Sequence, residues 1–253
     1  MLRPFTLLLL CGLLALPRFV LARNQPASDP QALTLASLSI AALTGGITVT
    51  DIALPGNATL TIGSDVGSGP ATLSAKGRYE SRLDLNLDNG RRTEIRNSTG
   101  GPLAEWIGAD GKSHLFAFSN CMTDAVWFYP TLSSLAFAND PNQTLSYVGL
   151  ETLNGASVQH LHAVWSGQEL TSMDFYLDAT TLLPVATSFN AHPDNDPTTN
   201  IAVQILFSSY ENLNGVQVPY HIQELFNGVL LLDFTATTAA VNSGLQDSLF
   251  AIQ

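Results

Sequence analysis

The residues best suited to chemistry are His160 and His162, in the run VQHLHAV. Alternation along a strand puts both imidazoles on one face, where a pair of neutral ring nitrogens can bind zinc. Such a site needs a third ligand and an open position, and the remaining histidines are His114, His192 and His221. Val158 and Val164 flank the pair on the same face, so the plainer reading is that the histidines line a surface or a cavity. Ser133-Ser134 beside scattered histidines and aspartates does not form a triad signal. No Gly-x-Ser-x-Gly elbow and no phosphate-binding or dinucleotide glycine pattern is present. Asp194 and Asp196 sit in a proline-containing loop; two carboxylates there can take calcium but more often make a solvated turn. Cys121 lies in an apolar helical segment and reads as inert packing. The chain is therefore expected to be non-enzymatic, with no catalytic residue, metal or cofactor assigned; a metalloenzyme using His160 and His162 is the remote alternative.

A second constellation is charged. Lys76, Arg78, Arg82, Arg91, Arg92 and Arg96 interleave with Glu80, Asp84, Asp88 and Glu94. On paired strands this reads as a salt-bridge ladder across a solvated face, each pair contributing about 0.2–1 kcal/mol. The functional alternative is a docking site for a carboxylate-bearing envelope protein, through Arg78, Arg82, Arg91, Arg92 and Arg96.

The elements that must position these residues are nearly all strands. Gln31 to Thr44 is the first exception: helical spacing of Leu33, Ser37, Ile40 and Leu43, a Ser28/Asp29 cap, Pro30 in the first turn and Gly45-Gly46 as a stop. Strands are expected over 47–54, 58–62, 71–87, 91–97, 103–107 and 113–118, with a turn at Pro55-Gly56-Asn57 and a loop over 63–69. The second half continues over 144–153, 157–165, 170–177, 182–189, 201–210, 216–225 and 229–238. Asn154-Gly155, Asn214-Gly215 and Asn227-Gly228 are hairpin turns. The other exception is Asn120 to Phe137, where Ala125, Phe128, Leu132 and Leu135 share a helical face and Pro130 places a kink. It reads as a plug in a β core or a lid over a cavity. More than ten strands joined by short turns imply an antiparallel sheet that curls. The expected class is mainly β with few helices (α+β).

The first residues, MLRPFTLLLLCGLLALPRFVLA, have a basic start, an apolar stretch over 7–16 and a small-residue cleavage site at Val20-Leu21-Ala22. Residues 1–22 are read as a removed signal peptide and 23–253 as one domain. The expected location is periplasmic or otherwise exported. Cys11 lacks a lipobox context, and Cys121 is the only cysteine after the leader, so no internal disulfide is expected. The whole chain carries a net charge of −11, and 8 basic against 21 acidic residues remain after residue 22. Such a surface repels nucleic acid and anionic membranes. No later stretch is long and apolar enough for a transmembrane helix. Sequons at Asn57, Asn97 and Asn142 matter only in a glycosylating pathway.

The C-terminal meander, SSYENLNGVQVPYHIQELFNGVLLLDFTATTAAVNSGLQDSLF, has a strand ending in Tyr210, an Asn-Gly turn, Val218-Pro219, a second Asn-Gly turn, a strand with Asp233, and a close from Asn242 to Phe250. It resembles the end of LolA/LolB-like periplasmic proteins, the lipoprotein carriers and their relatives. The resemblance implies a curled antiparallel half-barrel of about eleven strands, closed by helices and holding acyl chains. It carries over no binding residue by motif. The expected ligand is a lipid or lipoprotein acyl chain, the partner a hydrophobic small molecule or a lipidated protein, with envelope lipoprotein sorting as a possible setting. On the strand alternation, the expected lining is Phe175 and Leu177, then Ile201, Val203, Ile205 and Phe207, then Leu230, Leu232 and Phe234. Trp127, Phe128, Leu132 and Leu135 are expected to cap it. These faces read equally well as dry core. A ligand-free docking module is the alternative function.

Overall fold

The fold was analysed in a computed structural model that describes residues 27–97, 103–116, 135–136, 138–166, 172–193 and 195–252. The expected signal segment, most of the expected 120–137 helix with Trp127, Phe128 and Leu132, Cys121 and Asp194 lie outside the described residues.

Helix α1, Pro30–Thr44, forms as its capping signals dictate. The Asp29 carboxylate accepts from the Gln31 N–H at 2.8 Å, and Gly45 ends the helix at φ +58°. Its buried face is made of Ala32, Ala36, Ser39, Leu43 and Thr44, mostly small side chains that let it lie close on the sheet. Fourteen strands follow among the described residues, more than the about eleven that the resemblance implies: β1 Asp51–Ile62, β2 Asp65–Lys76, β3 Glu80–Leu87, β4 Gly90–Asn97, β5 Ala104–Ile107, β6 Ser113–Leu115, β7 Gln143–Leu153, β8 Ala156–Trp165, β9 Ser172–Asp178, β10 Pro184–Ala191, β11 Ile201–Leu213, β12 Val216–Phe226, β13 Val229–Ala236 and β14 Ala240–Val241. They form one antiparallel sheet in the order β6-β5-β4-β3-β2-β1-β13-β12-β11-β10-β9-β8-β7, with β14 beside β1. The only non-sequential neighbours on that path are β1 and β13, so each half is a meander and the first strand meets the last long one.

Three corrections account for the altered strand pattern. Residues 55–57 do not turn; β1 runs straight through them. Pro55 lacks an N–H, and it falls where β1 changes partner, between Ile52–Ala53 paired with β14 and Gly56–Leu60 paired with β13. Gly56 then passes so close to β13 that a Cβ would stand 2.2 Å from the Thr235 carbonyl oxygen. Residues 71–87 are two strands, broken at Gly77 with φ +56°, and β2 begins at Asp65 inside the expected loop. Residues 47–50 are irregular, so β1 starts only at Asp51.

The Asn-Gly turns behave as expected. Asn154, Asn214 and Asn227 have φ of 50–53°, each followed by a positive-φ glycine, the geometry that matches strand twist. The inner face of the sheet holds one core that includes Leu54, Leu73, Phe175, Phe207, Ile222 and Phe234. Helix α1 packs on β12 and on edge strand β7. The edge is also paired by the chain before the helix: Asp29 donates its N–H to the Leu145 carbonyl at 2.8 Å, and Leu145 donates its N–H to the Ser28 hydroxyl at 3.0 Å. The Arg78 guanidinium, in the turn between β2 and β3, bonds the Asp140 carboxylate just before β7 at 2.9 Å. These ties join distant parts of the curled sheet.

Candidate functional site: a cavity beside the N-terminal helix

Where α1 ends, the chain leaves the helix at Gly45-Gly46 and crosses to β1 as irregular backbone, the Thr50 carbonyl accepting from the Gly77 N–H at 3.0 Å. Asn242 holds this crossing in place of a strand. Its side-chain oxygen accepts from the Thr50 N–H at 2.7 Å, and its amide donates to the Thr48 carbonyl at 2.8 Å. Between the crossing, the C-terminal half of α1, the β2–β3 turn and Ala136 lies a cavity of about 780 Å³. Ile40, Ala41, Ile47, Val49 and Ala136 supply apolar wall; Lys76, Arg78 and Glu80 form a charged side. A smaller hollow of about 380 Å³ lies against Leu213, Val216, Ala239 and Val241, and Ile47 borders both.

The charged side has firm and loose parts. Asp140 is held below the ordinary aspartate range, chiefly by the Asn142 N–H and by Arg78. Lys76 bonds the Leu245 carbonyl at 2.7 Å and the Asp247 carboxylate, whose side chain is 84% exposed. Glu80 is shifted upward by burial and by Asp247, with Lys76 opposing.

The expected lining residues lie elsewhere. Phe175, Leu177, Val203, Ile205, Phe207, Leu232, Phe234 and Leu135 are each at most 3% exposed and pack in the common core. Ile201 is half-buried against that core, and Leu230 is exposed near the β12–β13 turn. None of them borders the 780 Å³ cavity. The signal that was available was the Gly45-Gly46 stop followed by Ile47-Thr48-Val49-Thr50, which alternates like a strand yet begins against a helix end.

The basic hairpin turns much of its charge inward on the protein itself. Arg82 forms a two-point bond to Asp84 and donates to the Leu249 carbonyl at 3.0 Å. Arg92 and Arg96 share Glu94, at 2.6 and 3.2 Å. These pairs run along single strands, two residues apart, and not across the ladder, because i and i+2 share a face. Glu94 is held low against its own burial by those two arginines. With Arg78 on Asp140, four of the five expected docking arginines have intramolecular partners, and Arg91 is the exposed one. Lys76, Arg82 and Asn97 also secure the C-terminal strap, donating to the carbonyls of Leu245, Leu249 and Phe250. The strap ends in a 3-10 turn, Asp247–Phe250, that buries Phe250 completely.

The histidines stand on the other face of the sheet from the core. His160 reaches Glu151 through Nδ1 at 3.0 Å and Asp174 through Nε2 at 2.8 Å, and His162 meets the same Asp174 oxygen at 2.8 Å. Tyr176 stacks on His160. Val158 is fully buried although it shares their alternation, while Val164 is exposed as expected. On β11, β12 and β13, Ser208, His221 and Asp233 are bonded in line at 3.1 and 2.7 Å. Neither group borders the cavities, and among the described residues no three His, Cys, Asp or Glu side chains converge to hold a metal ion. No helix among the described residues is long and apolar enough to cross a membrane.

No protein-family model and no curated protein matches the sequence. Solved structures do match the fold. A domain of the outer membrane lipoprotein-sorting type from Vibrio parahaemolyticus superposes with a TM-score of 0.58 at 12% identity, over 87% of this chain and 96% of its own. A DUF1329 family protein from Desulfovibrio piger gives 0.59 at 13% identity, over 89% and 98%. A LolA superfamily protein from Nitrosomonas europaea gives 0.53 at 8% identity, over 87% and 97%. At such identities the likeness is one of backbone architecture, and that architecture is shared over nearly the whole length of each relative: this chain has a LolA-like fold.

Proposed function

We propose that this chain is a non-enzymatic, exported binding protein that holds a hydrophobic ligand, a lipid or lipoprotein acyl chain, in its half-barrel. The observation that carries this reading is the 780 Å³ cavity walled by Ile40, Ala41, Ile47, Val49 and Ala136. Its size falls within the range of about 300–1,000 Å³ of small-molecule sites, and its wall is largely apolar. The LolA-like fold supports it, since relatives with this architecture include one of the outer membrane lipoprotein-sorting type. Each methylene buried in the cavity stabilises the complex by roughly 0.8 kcal/mol. Export follows from residues 1–22, whose pattern is that of a cleaved signal.

Native mass spectrometry of protein purified from its own compartment tests the reading. A co-purifying lipid that is lost on organic extraction, with uptake of a fluorescent fatty acid by the extracted protein, is the expected result. A clean apo mass with no uptake refutes it.

A further inference from the structure

Seven basic side chains are described, and two of them, Lys76 and Arg78, stand in one wall of the same cavity. In a chain with a net charge of −11, the lining itself holds these two cations against one carboxylate, Glu80, while Asp140 and Asp247 pair with them from outside it. Long-range repulsion from the acidic surface is screened over about 8–10 Å at physiological salt, so adjacent groups decide what a ligand head meets there. The lining also holds the apolar side chains of Ile40, Ala41, Ile47, Val49 and Ala136 and the hydroxyl residues Ser37, Thr44, Thr48 and Thr50. Charge at the β2–β3 turn and apolar side chains elsewhere in one lining suit an amphiphile.

The cations differ in how firmly they are held. Arg78 is paired with Asp140, whose side chain is 20% exposed. The carboxylate on Lys76 belongs to Asp247, 84% exposed on the C-terminal strap. An ion pair with so exposed a partner is weak and salt-screened, so a second anion displaces Asp247 readily. Glu80 is the competing carboxylate in the same wall.

We propose that the cavity binds a fatty-acid-like amphiphile, its anionic head on Lys76 beside Arg78 and its chain along Ile40, Ala41, Ile47 and Val49. This rests on the carrier reading above and adds the class of ligand. A carboxylate and a phosphate head share the required chemistry.

The test is displacement of a fluorescent fatty acid from the extracted full-length protein by dodecanoate, dodecyl phosphate and dodecanol. Dodecanoate or dodecyl phosphate should compete at least about tenfold better than the neutral alcohol, and the stronger of the two identifies the head. Lys76→Met should erase that preference, read as the ratio of anionic to neutral competition, because losing the Lys76 bonds to the strap lowers all three affinities together; an unchanged circular-dichroism spectrum reports that the variant is folded. Glu80→Gln, which removes the opposing charge and spares every cation, should widen it. Equal competition by all three ligands in the unmodified protein overturns the head-group inference and leaves the carrier reading standing. So does an unchanged preference in Lys76→Met, or a narrowed one in Glu80→Gln. If none of the three binds, the carrier reading falls with it.

Discussion

Replacing Asp51 by asparagine separates the C-terminal strap from the cavity wall it supports. Asp51 opens β1, is 2% exposed, and accepts four hydrogen bonds. One carboxylate oxygen takes the N–H and hydroxyl of Ser243, both at 2.8 Å; the other takes the Gly244 N–H and the Thr50 hydroxyl, both at 3.1 Å. Bonds to an ionised acceptor contribute about 1.5–3 kcal/mol each, against about 1 kcal/mol for a neutral one. An asparagine keeps one oxygen, so the Ser243 pair survives at neutral strength. Its amide then faces the Gly244 N–H, donor against donor, while the Thr50 hydroxyl can turn and accept. The expected loss is about 2–4 kcal/mol near pH 7. Acid adds a second signature. Burial pushes the Asp51 carboxyl up, but the bonds from Ser243, Gly244 and Thr50 outweigh it and hold the group below its ordinary value. Its contribution is therefore complete above the unfolded value, near about 3.9, and is lost as pH falls through the lower folded value. Urea unfolding from about pH 7 down to about pH 2 should show the variant weaker at neutrality and the gap closing in acid. Asp140, Asp178 and Asp196 are also held low, Asp196 at about 2, so both proteins weaken and only the difference is diagnostic. A gap below about 0.5 kcal/mol at neutrality, or one that stays constant into acid, refutes the argument.

Two further substitutions probe the frame around the cavity. Gly45→Ala puts a Cβ 2.6 Å from the Gly215 carbonyl oxygen at φ +58°, whereas Gly46→Ala, at φ +84°, meets nothing within 4 Å. The first should cost about 1–3 kcal/mol in urea unfolding and exceed the second, which carries backbone strain alone; equal losses would dissociate the helix end from the β11–β12 turn. Phe234→Ala removes a fully buried ring and should cost about 3–5 kcal/mol, against under about 1 kcal/mol for the exposed Leu230→Ala. A small loss at Phe234, with weakened fatty-acid uptake, would show that its face lines a ligand space and is not dry core.

Local chemistry was legible where one residue type dictates one geometry. Asp29, Pro30 and Gly45 bound α1 because capping and the left-handed φ need those side chains. Asn154, Asn214 and Asn227 place their hairpins for the same reason. The alternation of Ser81, Leu83 and Leu85 against Arg82 and Asp84 survived intact. What escaped depends on partners distant in sequence. Pro55 reads as a turn until β13 and β14 are seen to divide β1 between them. Ile47 and Val49 read as strand, yet their backbone is irregular and both line the cavity. Alternation grouped Ile201 to Phe207, Leu230 to Phe234, and Phe175 with Leu177 as candidate ligand lining, and Phe175, Ile205 and Phe234 lie in the common core, but a face seen in sequence has no thickness. It cannot tell whether an opposing layer touches it.

The size of the cavity itself constrains what it is for. Void sealed in a protein core costs about 24 cal/mol per Å³, a penalty that a space open to solvent does not carry. This space opens to solvent, so it holds water or a ligand. Water there meets the hydroxyl residues Ser37, Thr44, Thr48 and Thr50 and the charges of Lys76, Arg78 and Glu80, but finds no side-chain hydrogen bond along Ile40, Ala41, Ile47 and Val49. An apolar occupant covers those side chains and releases that water. Asn242, bonded to Thr48 and Thr50, fixes the crossing that carries Ile47 and Val49 into the lining. The strap, anchored by Asp51, Lys76 and Arg82, thus sets one wall of the space, and the proposed greasy ligand is the occupant that would gain most from its apolar part.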